Sequence, residues 1–296
     1  MVSNVGYDYK SSPFYRLPSK KKLASLLDFE LSDFDNIVNK SNYRILTNKQ
    51  GRLIQHPIGK LEILHKRIAN LLFRIKTPNY VHSCKNHSYI TNAKSHKANV
   101  PLIKTDITSF YPSVTFSSIF KLFNERFECP NDIAWHLAYI CSYNRSHLPT
   151  GSSLSSIIAF LAHQDMFDEI CELSQQHGCV MTCYVDDIVI SGVKASKTLL
   201  YKVRDIIKNH GLYAKRNKSK TFPANKPRTV TGVIVTNDGL KIPNCRLQRT
   251  KELRKHIGNE NNELERERLI RSLQGRLQEE EQIRRANSAS RLTVGE

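Results

Sequence analysis

Tyr184-Val185-Asp186-Asp187 sits between two apolar, β-branched stretches, residues 180–183 and 188–191. Two adjacent acids at a hairpin apex are costly, because like charges that close do not both ionise cheaply without a cation. A divalent metal resolves the conflict. Successive side chains of a strand point to opposite faces, so only one acid of the pair faces a common site unless the turn re-aims the other. Another carboxylate is therefore expected from elsewhere, and Asp106, at the end of the apolar run 100–107, is the best placed. Two carboxylates from a hairpin and one from a neighbouring strand suit two Mg²⁺, an arrangement that activates a hydroxyl and stabilises a pyrophosphate leaving group. The string alone also fits a plain polar turn.

The elements that must hold these residues can be read coarsely. Residues 61–75 repeat apolar positions at three and four, predicting an amphipathic helix ended by Pro78. A strand ends near Asp106, Thr115 caps a helix reaching about Phe127, and 154–176 reads as one long helix stopped at His177-Gly178. The hairpin 180–191 follows, then a helix over 197–209 broken by Gly211, a strand over 229–235, and a charged helical end from Arg246. The order predicts an α+β fold: a helix-rich start, a mixed centre and a helical end.

Charge narrows the partner. The 296 residues carry 45 Lys and Arg against 27 Asp and Glu, a net charge of +18, and 40% are hydrophobic. The chain can build a real core, and its excess positive charge calls for an anionic partner, nucleic acid being the commonest. The excess is concentrated. Residues 41–99 hold eleven Lys or Arg with Glu62 as the only acid, and 197–228 hold ten with only Asp205. Two basic stretches around an acid-bearing centre read as walls about a site that needs carboxylates, though each alone also fits a solvated charged face. Collagenous, disordered and membrane-spanning classes are excluded by composition, and the N-terminal residues lack the apolar core of a signal peptide, so a cytoplasmic protein is expected. Seven irregularly spaced Cys without C-x-x-C fit neither a disulfide framework nor a zinc ribbon. His82-Ser-Cys84-Lys-Asn-His87 has metal-ligand types but no second ligand pair at finger spacing. No G-x-S-x-G elbow frames the serines at 152–156, and the run 279–285 reads as an exposed helix face.

Several ordered strings make the chain resemble a reverse transcriptase, and within that group a bacterial retron reverse transcriptase. Asp106-Ile107-Thr-Ser-Phe-Tyr111 resembles the family's first catalytic block, which implies metal binding by Asp106 and the Ile107 carbonyl and a sugar-discriminating role for Tyr111. Leu148-Pro-Thr150-Gly151-Ser resembles the block lining the template and nucleotide site, with Thr150 where many members carry Gln. Asn217-Lys218-Ser-Lys220-Thr resembles the block whose Lys acts near the triphosphate as a general acid, and the resemblance points to Lys220 rather than Lys218. Gly51-Arg52-Leu-Ile-Gln-His-Pro resembles the segment whose Arg clamps the triphosphate, with Lys49 as helper. Asn92-Ala-Lys-Ser-His96 and Val230-Thr231-Gly232 resemble two retron motifs, the latter tied to recognition of the cognate RNA, and the resemblance implies RNA binding by Asn92, His96, Val230, Thr231 and Gly232.

The resemblance implies a right-hand polymerase with fingers (residues 1–99), a palm of antiparallel sheet and helices (100–235, with a helical insertion around 121–148) and a helical thumb (236–296). It implies catalysis by Asp106, Asp186, Asp187 and Lys220, a two-Mg²⁺ centre, dNTP substrates and no membrane. It further implies a structured noncoding RNA, copied in part into single-stranded DNA that is primed from a 2′-hydroxyl and stays joined to it, and an operon-encoded effector in phage defence. Rival readings are another bacterial reverse transcriptase of group II intron or diversity-generating type, a non-catalytic RNA-binding protein on the same scaffold, or a nucleotidyl cyclase with a similar palm.

Overall fold

The computed structural model describes residues 6–48 and 50–292, with side chains as far as residue 288. The chain divides into two compact units. One comprises Met1–Asn79, Ile107–Glu169 and Arg204–Ala214, the other Tyr80–Asp106, Ile170–Val203 and Lys215–Glu296.

The first unit is mainly helical. The helix Gly59–Leu72 buries Leu61, Leu64, Ile68 and Leu72 on one side, as the apolar period required. Phe14, Phe123 and Phe127 meet edge-on or tilted in its core. The start of the chain is less purely helical than its pattern implied: β1 (Tyr43–Thr47) and β2 (Leu53–Pro57) form an antiparallel hairpin. Their alternation is masked because Ile45, Leu46 and Leu53 are exposed apolar residues. Thr115 caps Phe116–Lys121 through the Ser118 N–H, and a π-turn, Leu122–Arg126, completes that stretch. The expected long helix over 154–176 is two helices, Ser155–Ala162 and Gln164–Gln176. At His163 the backbone leaves the helical region (φ −123°, ψ 21°), a bend that periodicity does not register because both halves keep the same apolar spacing.

The second unit is built on two antiparallel sheets. In the larger, β3 (Leu102–Asp106), β4 (Val180–Tyr184), β5 (Asp187–Ser191) and β6 (Lys220–Phe222) lie in the order β4-β5-β3-β6. The free edge of β4 is paired by the segment at 80–82: Cys183 N–H donates to the Tyr80 carbonyl and His82 N–H to that of Cys183. The smaller sheet is β7 (Arg228–Val230), β8 (Val233–Thr236) and β9 (Gly239–Lys241). What reads as one strand over 229–235 is thus a hairpin, turned by Thr231 and Gly232, both at positive φ. Two helices, Asn244–Asn259 and Glu263–Leu292, end the described chain. The core of this unit joins Ile90, Ala93, Leu102 and Val189 to Val230, Val233, Val235, Leu240 and Ile283. The run 279–285 is therefore only partly an exposed face, since Glu279 and Ile283 turn inward one helical turn apart while Glu281, Arg284 and Arg285 pair in solvent.

Buried Arg228 ties this unit together without an acid. Its guanidinium donates to the carbonyls of Ala98, Val100, Pro223 and Lys226 at 2.5–3.1 Å. The fold is α+β, as the element order implied, and its sheets are antiparallel, as the resemblance implied. All seven cysteines are free, and no helix among the described residues is long and apolar enough to cross a membrane.

Candidate active site

Register assembles the acids. In the β4–β5 hairpin Tyr184 pairs with Asp187, leaving Val185-Asp186 as a two-residue turn. Val185 takes a left-handed φ of 59°, a conformation that costs a β-branched residue on the order of 1–3 kcal/mol and survives where flanking ladders over-determine the backbone. Across the sheet β3 runs antiparallel to β5 with Asp106 directly opposite Asp187. The carboxylates of two neighbouring strands thus share one face, and the turn adds Asp186 between β4 and β5. Like charges in this position destabilise a bare sheet.

The electrostatics carry that cost. Asp106 is buried, 4% exposed. Burial, then the Asp106 charge, push the Asp186 carboxyl up to about 6, and the same causes raise Asp187. Relief comes from Lys218, whose Nζ donates to Asp106 Oδ2 at 2.5 Å. Its pKa is raised by that hydrogen bond and by the charges of all three acids. Lys220, the lysine that the resemblance points to near the triphosphate, stands opposite Lys104 in the β3–β6 register. The same register carried two residues further brings Lys218 opposite Asp106. Lys104 is half-buried, donates to the Thr229 carbonyl and lies over the Phe222 ring, with burial lowering its pKa. Among the described residues no group of three or more His, Cys, Asp or Glu stands at ion-holding distances, and Asp106 is paired with the Lys218 ammonium.

The two shorter motifs meet in the second unit. Ser88 caps the helix Tyr89–Lys94 in a reciprocal box with Thr91, which sets Asn92 and Ala93 into the core. Asn92 Nδ2 reaches Thr231 Oγ1 at 3.4 Å, and that hydroxyl donates to the Tyr89 carbonyl at 2.7 Å. His96 is buried, with Nδ1 on Ser191 Oγ (2.8 Å) and Nε2 on Thr182 Oγ1 (2.7 Å), clamping β4 to β5 from behind. Burial drives its pKa down to about 3. Asn92, His96 and Val230, expected as RNA contacts, are all buried, so their side chains build the surface rather than form it; Thr231 and Gly232 are the half-exposed members.

Beside Tyr184 an open cavity of about 450 Å³ is lined by Tyr89, Thr231, Arg246, Gly275 and Glu279. Arg246 pairs with Glu279, which also accepts from the Tyr89 hydroxyl at 2.9 Å. An added Cβ at Gly232 would strike the Arg246 guanidinium. Sequence reading missed this group, because Tyr89 and Glu279 lie 190 residues apart.

The remaining candidates lie in the first unit. Ile107 directly follows Asp106 and its side chain is buried. Tyr111 falls in the short helix Phe110–Ser113, its ring stacked near Phe110. Gly151 is required by β2: a Cβ there would lie 2.7 Å from Ile54 Cγ2 and 2.9 Å from the Gln55 carbonyl, which accepts the Gly151 N–H. Gln55 Oε1 accepts both the Thr150 N–H at 3.0 Å and the Thr150 hydroxyl at 2.8 Å. Arg52 is exposed after a turn in which Asn48 Oδ1 accepts the N–H groups of Gln50 and Arg52. Lys49 lies outside the described residues. In the second unit, Cys84 donates to the Val81 carbonyl and His82 Nδ1 stands against Thr91 Oγ1 and His87 Nδ1.

An antiparallel sheet that opposes one acid to the second of an Asp-Asp hairpin is the arrangement of a nucleotidyl-transferring palm. Residues 21–235 match the family described as reverse transcriptase (RNA-dependent DNA polymerase), and the chain belongs to that family. Within it, the chain is similar to retron reverse transcriptases. It is 28% identical to the retron Se72 reverse transcriptase of Salmonella heidelberg over 81% of this chain and 65% of that protein. It is 27% identical to the retron Ec86 reverse transcriptase of Escherichia coli over 73% and 69%. The match thus spans somewhat less than two thirds of the Se72 protein. Among solved structures, apo telomerase from Candida tropicalis, truncated from its C-terminal domain, aligns with 68% of this chain and 54% of its own at 12% identity and a TM-score of 0.47.

Proposed function

We propose that the chain is an RNA-directed DNA polymerase of the retron kind, copying part of a structured noncoding RNA into single-stranded DNA that is primed from a 2′-hydroxyl and stays joined to it. The observation that carries this reading is the opposition of Asp106 and Asp187 across β3 and β5 with Asp186 in the adjoining turn, in a chain of the reverse transcriptase family. The set fits a hard divalent cation: it offers carboxylate oxygens, and burial, followed by the Asp106 charge, raises the pKa values of Asp186 and Asp187, so that a cation there would favour their charged forms. Asp106, Asp186 and Asp187, with the Ile107 carbonyl, are the groups to hold two Mg²⁺. Those ions supply activation of the primer hydroxyl and neutralisation of the departing pyrophosphate.

The chain's own residues do the rest. Arg52 and Lys49 engage the triphosphate, Lys220 protonates the leaving pyrophosphate, and Tyr111 with Gly151 bounds the sugar and template side. Thr231 and Gly232 meet the RNA, on a surface that Asn92, His96 and Val230 hold in shape. Fingers, palm and thumb correspond in this reading to 1–99, 100–235 and 236–296. The substrates are dNTPs, the compartment is the cytoplasm, and an operon-encoded effector completes a phage-defence unit. The test is Asp186→Asn combined with Asp187→Asn, assayed for dNTP incorporation on RNA and for RNA binding by gel shift. Loss of incorporation with retained binding is expected; undiminished synthesis would sink the assignment. Expressed with its flanking DNA, the gene should also yield a small nucleic acid whose mobility changes on both RNase and debranching treatment.

A further inference from the structure

Lys218 has a place that the polymerase reading does not use. The turn that carries it is fastened to β3 at two points. Lys215 N–H donates to the backbone carbonyl of Asp106 at 2.7 Å, and Ser219 Oγ lies 2.8 Å from Thr105 Oγ1 while donating to the Lys215 carbonyl. Between these anchors the 3₁₀ turn Arg216–Lys218 closes through the Lys218 N–H on Lys215 O. The backbone thus aims one lysine at one carboxylate, where a flexible surface lysine would sample many directions.

The two partners differ in freedom. The Asp106 side chain is 6% exposed and held in the ladder, while the Lys218 side chain is 50% exposed at the edge. An ammonium so placed can leave for water at little cost, whereas the carboxylate has nowhere to go. Of the other lysines on this face, Lys104 is engaged by the Thr229 carbonyl and the Phe222 ring, and Lys220 stands opposite Lys104 rather than Asp106. Three acids within one small face repel one another, and a cation held among them relieves that repulsion.

We propose that Lys218 is a tethered counter-cation that occupies the Asp106 position in the metal-free protein and is exchanged for the divalent ion, so that it sets the affinity and order of metal entry. The proposal rests on the reading of Asp106, Asp186 and Asp187 as metal ligands. Lys218 is a positioning residue in this scheme. It is paired with Asp106 beside two further acids, and an ion entering at Asp106 must displace an ammonium already bonded there. Lys220, opposite Lys104 in the ladder, has no such competition to lose.

The test is Mn²⁺ binding to the full chain without nucleotide, followed by the electron paramagnetic resonance of free Mn²⁺, together with thermal unfolding in EDTA and in Mg²⁺. Lys218→Met is expected to bind Mn²⁺ about ten-fold more tightly than the wild type, the scale of one lost charge-assisted hydrogen bond at a half-exposed site. It should melt lower in EDTA and gain more from Mg²⁺, while Lys218→Arg restores wild-type behaviour and Lys220→Met matches wild type in Mn²⁺ affinity. Unchanged or weaker Mn²⁺ binding by Lys218→Met overturns the proposal. Asp106→Asn separates the two layers: if it leaves Mn²⁺ binding intact, the ligand reading fails, and if it abolishes binding while Lys218→Met changes nothing, only the exchange fails.

Discussion

His96 offers the sharpest test of whether the Asn-Ala-x-x-His string acts by building the fold or by touching RNA. Both ring nitrogens are engaged, by Ser191 and Thr182 hydroxyls, and the ring is 2% exposed. Burial first, then the His82 and Arg228 charges, lower its pKa from 6.5 to about 3 in the fold. A folded-state pKa below the unfolded one means that the unfolded chain binds more protons between those values. The stability His96 contributes is therefore complete above pH 6.5 and is lost as pH falls toward 3. At pH 5, one and a half units below the unfolded pKa, the loss amounts to about 2 kcal/mol at 1.36 kcal/mol per unit. His96→Gln keeps an acceptor and a donor for the two hydroxyls but does not titrate. Urea unfolding at pH 7.5 and pH 5.0 should show the wild type losing about 2 kcal/mol more than His96→Gln over that interval. His65, His82 and His163, each lowered to about 4 mainly by burial, weaken both proteins alike and cancel in the comparison. Equal losses in the two proteins would refute the buried, neutral imidazole, and a large fall in RNA affinity of folded His96→Gln at pH 7.5 would refute its scaffolding role.

Arg228→Met removes a guanidinium that serves four carbonyls, and the unsatisfied acceptors should lower stability in urea by about 3 kcal/mol; a loss below about 1 kcal/mol would mean that water replaces it. Gly151→Ala forces a Cβ against Ile54 and the Gln55 carbonyl, and unfolding should show a cost of about 2 kcal/mol. If Gly151→Ala instead leaves stability untouched and impairs only nucleotide use, the glycine serves the substrate rather than β2.

Chemistry-bearing residues were legible in the sequence because their types are rare in their settings: paired acids between apolar strands, a lone Asp ending another, and basic runs on either side. Alternation and apolar period also located β3, the β4–β5 hairpin and the helix Gly59–Leu72, since each is a local pattern set by burial of one face. Local pattern misled where the deviation lies in a single backbone angle, as at His163 and Thr231. It also misled where the burying partner is remote in sequence, as with Glu279 and Ile283 on a run that reads as solvent-facing.

The sequence by itself determined which groups were available for chemistry, the α+β character and the resemblance to the family. Tertiary structure alone decided how those groups are used. Asp106 meets Asp187 because β3 inserts beside β5 in one particular register, and that register, not spacing along the chain, puts Lys218 against Asp106 and Lys220 against Lys104. A shift of one residue would turn every one of these side chains to the other face. Burial is likewise a property of the packed whole, which is why a motif expected to present Asn92 and His96 to RNA turns those side chains inward, and why Arg228, at the start of β7, becomes the buried tie of a unit.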